Sequence, residues 1–157
     1  RLAAPMGQIA IKALPPSQLR APTALTLPLG GALIAGAFGF GVVYGLRRTA
    51  SSLLLAGMAG TAAAHAFVES LRSLYAYPYP LHIWRLGLIW LLAARFALLL
   101  IAFIVGRFHR GTGRRHLMIA SVALAVTLFA PGFDFKNVGA YLIGLGISCI
   151  LLAASLR

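Results

Sequence analysis

The sequence predicts an all-α fold, a polytopic transmembrane helix bundle of about five spans. Three observations predict it. Hydrophobic residues make up 61% of the chain and charged residues 10%, whereas soluble domains carry roughly 25% charged residues. The 157 residues accommodate about five segments of about 20 residues with short loops, which leaves no room for a sizeable soluble domain. Twelve Arg and two Lys stand against only Glu69 and Asp134, and the Arg residues gather at the ends of apolar runs. Topology signals and contacts with anionic lipid headgroups use arginine in that way. The net charge of +12 is therefore assigned to the bilayer and not to nucleic acid.

Residues 1–23 are not membrane-like. They hold Pro5, Pro15, Pro16 and Pro22, with charges at Arg1, Lys12 and Arg20. The double proline argues for an extended extracytoplasmic linker, or the tail of an exported domain, and not for a helix. The transmembrane bundle then occupies 24–157. Its first span, about 24–46, contains Gly30, Gly31, Gly36, Gly39, Gly41 and Gly45. In lipid the backbone must satisfy itself, so helix is still the assignment. Gly41 and Gly45 form a GxxxG spacing, which permits close approach of another helix; ordinary packing explains it as well.

The second span, about 51–74, has a middle of small residues. Ala56, Gly60 and Ala64 are four apart and form a flat strip, so this helix is expected at the centre of the bundle between two neighbours. It also carries His65, Glu69 and Arg72 on one face, stacked over two turns. A polar ladder on a spanning helix is expected to face the bundle interior.

A Tyr/Pro segment follows: Tyr75, Tyr77, Pro78, Tyr79, Pro80. The prolines interrupt the helix, and the tyrosines suit the membrane–water interface as a clamp. His82, Trp84 and Arg85 continue it, ahead of a third span at about 86–105. Arg95 falls near the middle of that span, where a charge costs a few kcal/mol on insertion scales. It is expected to face interior carbonyls, His65 or water, while Glu69 pairs with Arg72 or Arg85. Arg107, His109, Arg110, Arg114, Arg115 and His116 form a basic loop that serves as a topology anchor. The fourth span, about 117–130, is short. A turn at 131–137 leads to the fifth, about 138–156, where Gly139, Gly144 and Gly146 are further close-approach points. Cys149 lies in that apolar run; a single cysteine makes no internal disulfide, and it is expected to be a small buried hydrophobe.

Topology follows from charge. Arg47, Arg48 and the 107–116 loop lie on one side, which the positive-inside rule makes cytoplasmic. The N-terminus is then outside, the C-terminus inside, and the Tyr/Pro loop faces outward.

Chemistry is sparse. Glu69 with His65 would be an acid/base pair, but no convergent nucleophile accompanies them, and no catalytic residue is assigned. Metal binding by His65, Glu69 and His82 is thinkable at that spacing, yet no metal site is assigned. His65 and His82 on adjacent helices are the minimum for bis-His haem ligation, although His82 sits among prolines ahead of the helix proper. A polar latch suits these residues better: Glu69 bonded to an Arg across two helices and capped by tyrosines, fixing register or switching between two states.

Glu69, then Tyr77-Pro78-Tyr79-Pro80-Leu81-His82, then Arg85-Leu86 and a long Leu/Ala span, resembles the membrane region of the bacterial seven-transmembrane receptors with diverse intracellular signalling modules. The resemblance implies a sensing and transmission module of the bacterial inner membrane, truncated here to about five spans. An exported sensory domain would precede it, and a histidine kinase or GGDEF diguanylate cyclase effector would lie in missing sequence. The chain itself would be no enzyme and hold no cofactor. The expected partners are the lipid bilayer and a second copy or other membrane subunits. The alternative is a small structural or accessory subunit of a larger membrane complex.

Overall fold

The computed structural model describes residues 16–74, 79–109, 111 and 113–156. They form five α-helices: α1 (Pro16–Arg47), α2 (Ala50–Leu74), α3 (Tyr79–Phe108), α4 (Gly113–Val126) and α5 (Phe133–Ser155), with a short 3-10 turn, Thr127–Phe129, between α4 and α5. There is no strand among the described residues. The all-α bundle is as predicted. Four helices contain stretches long and apolar enough to cross a membrane: Pro28–Arg47, Ala50–Ser70, Leu81–Phe108 and Phe133–Ser155. This is an integral membrane protein.

Four helix starts differ from expectation: α4 begins at Gly113, not near Leu117, and α5 at Phe133, not near Val138, so residues 133–137 of the expected turn are helical. The first helix begins at Pro16, not near Ala24, because a proline at the first helical position loses only an N–H that had no partner there. The third begins at Tyr79, not near Leu86. Pro80 sits in its first turn, where its missing donor is equally harmless, so His82, Trp84 and Arg85 are helical residues. The stretch 1–15, expected to be linker, lies outside the described residues.

Small residues fix the helix order. The turn at 48–49 folds α2 back antiparallel on α1, and at similar distances from that turn Gly36 faces the Ala59 Cβ and Gly60 faces the Ala37 Cβ. Gly57 meets Leu99 and Glu69 meets Arg85, so α3 runs antiparallel to α2. A Cβ at Gly113 would lie 2.7 Å from Val105 Cγ1, so α4 starts against the far end of α3. The Trp90 indole N–H donates to Thr127 Oγ1 at 2.9 Å, so α4 climbs back to the level of Trp90. There Gly132, at φ 75°, turns the chain into α5; a side chain rarely adopts that backbone conformation. Helix α5 then descends parallel to α3. A Cβ at Gly144 would lie 2.6 Å from the Ala97 Cβ, an approach only glycine permits. Of the other two expected approach points, Gly139 meets Thr127 at 3.3 Å and Gly146 meets nothing within 4 Å.

Helix α3, not α2, is the central element. It touches α2, α4 and α5, and it holds the largest buried share of the four spanning stretches. Ala93, Ala94 and Ala97 pack with Leu124 and Ala140. Ile101, Ile104 and Val105 pack with Ala120 and Leu151. Helix α2 lies between α1 and α3 as its small-residue middle requires, with Gly57 and Gly60 on its two seams; Ala56 is half-buried and Ala64 exposed. Gly41 and Gly45 have nothing within 4 Å, so their GxxxG spacing is not used inside the described chain. Cys149 is exposed, not buried, because the buried line of α5 runs through Ala140, Gly144, Ser148 and Leu151.

The antiparallel order brings the α1–α2 turn, with Arg47 and Arg48, to the same end as Arg107, Arg114 and Arg115. Arg48 closes α1 in the left-handed region at φ 51°, its N–H donating to the Tyr44 carbonyl at 2.7 Å. At the same end the rings of His109 and His116 meet edge to face, 5.6 Å apart.

Candidate functional site

The opposite end holds Glu69, Asp134 and an inter-helix ion pair. Glu69 stands near the end of α2 and Arg85 in the second turn of α3. Their closest charged atoms, Arg85 Nη1 and Glu69 Oε2, are 3.6 Å apart, and the same Nη1 lies 3.5 Å from the Glu69 carbonyl oxygen. Both distances are long for a hydrogen bond, so the contact is mainly coulombic. The carbonyl-rich end of α2 adds to it, since the last turns of a helix carry partial negative charge.

The two partners are unequally buried. The Arg85 side chain is 7% exposed and that of Glu69 57%. Arg85 Nε is buried with no hydrogen-bond partner among the described residues. The buried member is thus the cation, and the acid that balances it faces outward. Of the two pairings expected from sequence, Arg85 is the one seen; the Arg72 side chain lies outside the described residues. The expectation that Glu69 faces the interior is corrected: the turn that points His65 inward leaves Glu69 at the rim.

His65, one turn further into the bundle on α2, meets Tyr141 of α5. Tyr141 Oη lies 3.3 Å from His65 Nε2 and 3.4 Å from Nδ1, with the rings edge to face at 6.1 Å. This contact reaches past α3 and ties the second helix to the fifth. Beside it is a cavity of about 260 Å³ lined by Leu33, Thr61, His65, Leu92, Phe96 and Tyr141 among others. The Thr61 hydroxyl donates to the Gly57 carbonyl at 2.7 Å, so the polar groups that a guest would meet are those of His65 and Tyr141. Sequence reasoning missed Tyr141; its one signal is a lone tyrosine inside an apolar span.

Arg95 does not join this group. It is exposed on the outer face of α3 and contacts neither His65 nor interior carbonyls. On a helix of 3.6 residues per turn, residues 85, 89 and 96 face α2, whereas Arg95 falls on the line of Trp84, Leu88 and Leu91, all exposed. His65 and His82 are also kept apart. Antiparallel pairing of Glu69 with Arg85 puts His65 on the inner side of that bridge and His82 on the outer side. Their backbones are about 10 Å apart along the seam at 1.5 Å per residue, and His65 faces Tyr141. Among the described residues no group of three His, Cys, Asp or Glu side chains is gathered as metal ligands would be.

Of the expected aromatic clamp, Tyr75, Tyr77 and Pro78 lie outside the described residues. Tyr79 and Pro80 open α3, and their side chains also lie outside the description. The site therefore consists of one ion pair at the rim, one His–Tyr contact a turn deeper, and an apolar cavity between helices. Such an arrangement can hold helix register.

No family model matches the chain, and no curated protein or solved structure is significantly similar to it.

Proposed function

We propose that this chain is the membrane-embedded relay of a bacterial signal-transduction receptor, carrying a change at its outer face to an effector on the cytoplasmic side. The Arg-rich end is the cytoplasmic end in this reading, by the positive-inside rule, and the membrane is the bacterial inner membrane. One observation carries the proposal. The guanidinium of Arg85, buried at the rim of α3, is balanced by a single carboxylate that is itself exposed. Anything that draws Glu69 away leaves a buried charge without its partner, which is expensive in a low-dielectric setting. Helix α3 must then shift, and it runs uninterrupted to Phe108 at the Arg-rich end. Helix shifts of about 1–2 Å are an ordinary means of transmission between packed states.

The resemblance of the Glu69 to Leu86 segment to receptor membrane regions supports the same reading. The test uses Gly57→Cys with Leu99→Cys in a Cys149→Ser background. These positions face each other across the α2–α3 seam, about 18 Å from the ion pair at 1.5 Å per residue. In native membranes, Glu69→Gln is expected to change the rate of disulfide formation by about threefold or more, the size of a typical interhelical polar term. An unchanged rate in a correctly inserted variant would falsify the relay.

A second reading, a structural subunit of a larger complex, is favoured by the uncovered glycines of α1. Gly39, Gly41 and Gly45 have nothing within 4 Å. It predicts that Gly41→Leu lowers the mass of the native complex while Glu69→Gln leaves the Gly57–Leu99 seam unchanged.

A further inference from the structure

Arg95 lies at the centre of the longest spanning stretch, Leu81–Phe108, 14 residues from one end and 13 from the other (95 − 81 and 108 − 95). At 1.5 Å per residue it is about 20 Å from either end of that stretch, and about 15 Å from either face of a typical hydrocarbon core. Its side chain, six bonds of about 1.5 Å in a zigzag, reaches about 7 Å. Snorkelling therefore leaves the guanidinium well short of both interfaces. The side chain is exposed on the outer surface, and it has no hydrogen bond or ion pair among the described residues. It completes a continuous line on α3 with Trp84, Leu88 and Leu91, which are 78%, 42% and 55% exposed. Towards the Arg-rich end the surface becomes small at Gly106, which has nothing within 4 Å.

We infer that this line of α3 is a docking surface for a membrane-spanning helix of different sequence that bears an aspartate or glutamate at mid-depth, opposite Arg95. Charge complementarity selects that occupant. The 157 residues contain two carboxylates, Glu69 and Asp134. Glu69 is paired at the rim, and Asp134 sits in the first turn of α5 at the same end. A second copy of these 157 residues offers no carboxylate side chain at the required depth. Two copies related by a two-fold axis through this surface would set Arg95 against Arg95. A lone intramembrane arginine on a surface is costly, and intramembrane charges pair with one another or line wet cavities; an acidic partner helix removes the cost, with Trp84, Leu88 and Leu91 packing on either side. The inference is independent of the relay reading, which uses Glu69 and Arg85.

The experiment places a benzophenone amino acid at position 91 in place of Leu91 and irradiates native membranes that contain the full chain. The adduct is digested and the attached peptide sequenced by mass spectrometry. The expected adduct is a spanning segment of another sequence with a mid-span Asp or Glu. Its yield should fall about threefold or more with Arg95→Leu, hold with Arg95→Lys, and return when the partner's acid is exchanged for Arg against Arg95→Asp. Adducts with lipid alone, with a second copy of this chain, or with a segment lacking a mid-span acid overturn the inference. So does a yield indifferent to Arg95→Leu at equal insertion. Rapid labelling of Arg95→Cys by a membrane-impermeant maleimide, in a Cys149→Ser background, also overturns it, because the position would then be wet.

Discussion

Replacing Gly144 by alanine puts a methyl group 2.6 Å from the Ala97 Cβ and 3.3 Å from the Ala97 Cα. Carbon atoms rest at about 3.5–4.0 Å, so α3 and α5 must part by about 1 Å. A gap of that size forfeits roughly a quarter to a half of the attraction across each affected pair, and overpacking of a tight seam costs about 1–3 kcal/mol. Part of the cost is hidden, since Gly→Ala gains up to about 1 kcal/mol of helix propensity. Gly146→Ala supplies the control: it lies on the same helix with nothing within 4 Å and gains the propensity alone. The difference between the two variants isolates the packing term at about 1–3 kcal/mol. Adding Ala97→Gly to Gly144→Ala removes the nearer clash and should recover most of the loss. Steric trapping or unfolding by SDS titration in bicelles measures all four proteins. If Gly144→Ala is as stable as Gly146→Ala, the α3–α5 seam does not have this geometry.

Thr127 accepts from the Trp90 indole at 2.9 Å and donates to the Leu124 carbonyl at 2.6 Å. Thr127→Val should cost about 1–2 kcal/mol by leaving the indole N–H unmet and should move Trp90 emission in a Trp84→Phe background; an unmoved spectrum counts against the contact. Tyr141→Phe and His65→Phe should each cost about 0.6 kcal/mol, as polar contacts between spanning helices do, and the double variant should cost no more than either alone; full additivity in a double-mutant cycle would show that the two rings do not interact. For topology, Ser70→Cys should label from the periplasmic face and Thr49→Cys only after permeabilisation, both in a Cys149→Ser background; the reverse pattern inverts the orientation.

Hydropathy and arginine placement made the bundle legible, because lipid permits few alternatives to a helix. Antiparallel pairing of the first three helices also followed from short turns, and Glu69 had few cations within reach. The central helix was harder to read. The small-residue strip of α2 advertised close packing, but α3 became central through Ala93, Ala94 and Ala97, which look ordinary in a Leu-rich run. Proline misled only about where helices start: Pro16 and Pro80 each stand in a first turn, which has no use for the missing donor, so α1 and α3 begin earlier than the pattern suggests. Tyr141 and Arg95 depend on rotation about a helix axis. Periodicity fixes which residues share a line, but only the neighbour's position decides whether that line faces in or out, and for Arg95 it faces out.

The most direct test of the relay is a distance at the far end. Spin labels at Thr49→Cys and Phe108→Cys, in a Cys149→Ser background and lipid nanodiscs, report the spacing of the α1–α2 turn from the end of α3. Arg85→Leu removes the buried guanidinium at the opposite rim. The relay predicts a distance distribution displaced by about 1–2 Å or visibly broadened relative to the parent. Superimposable distributions in two equally folded proteins would show that the ion pair fixes its own end of the bundle and transmits nothing.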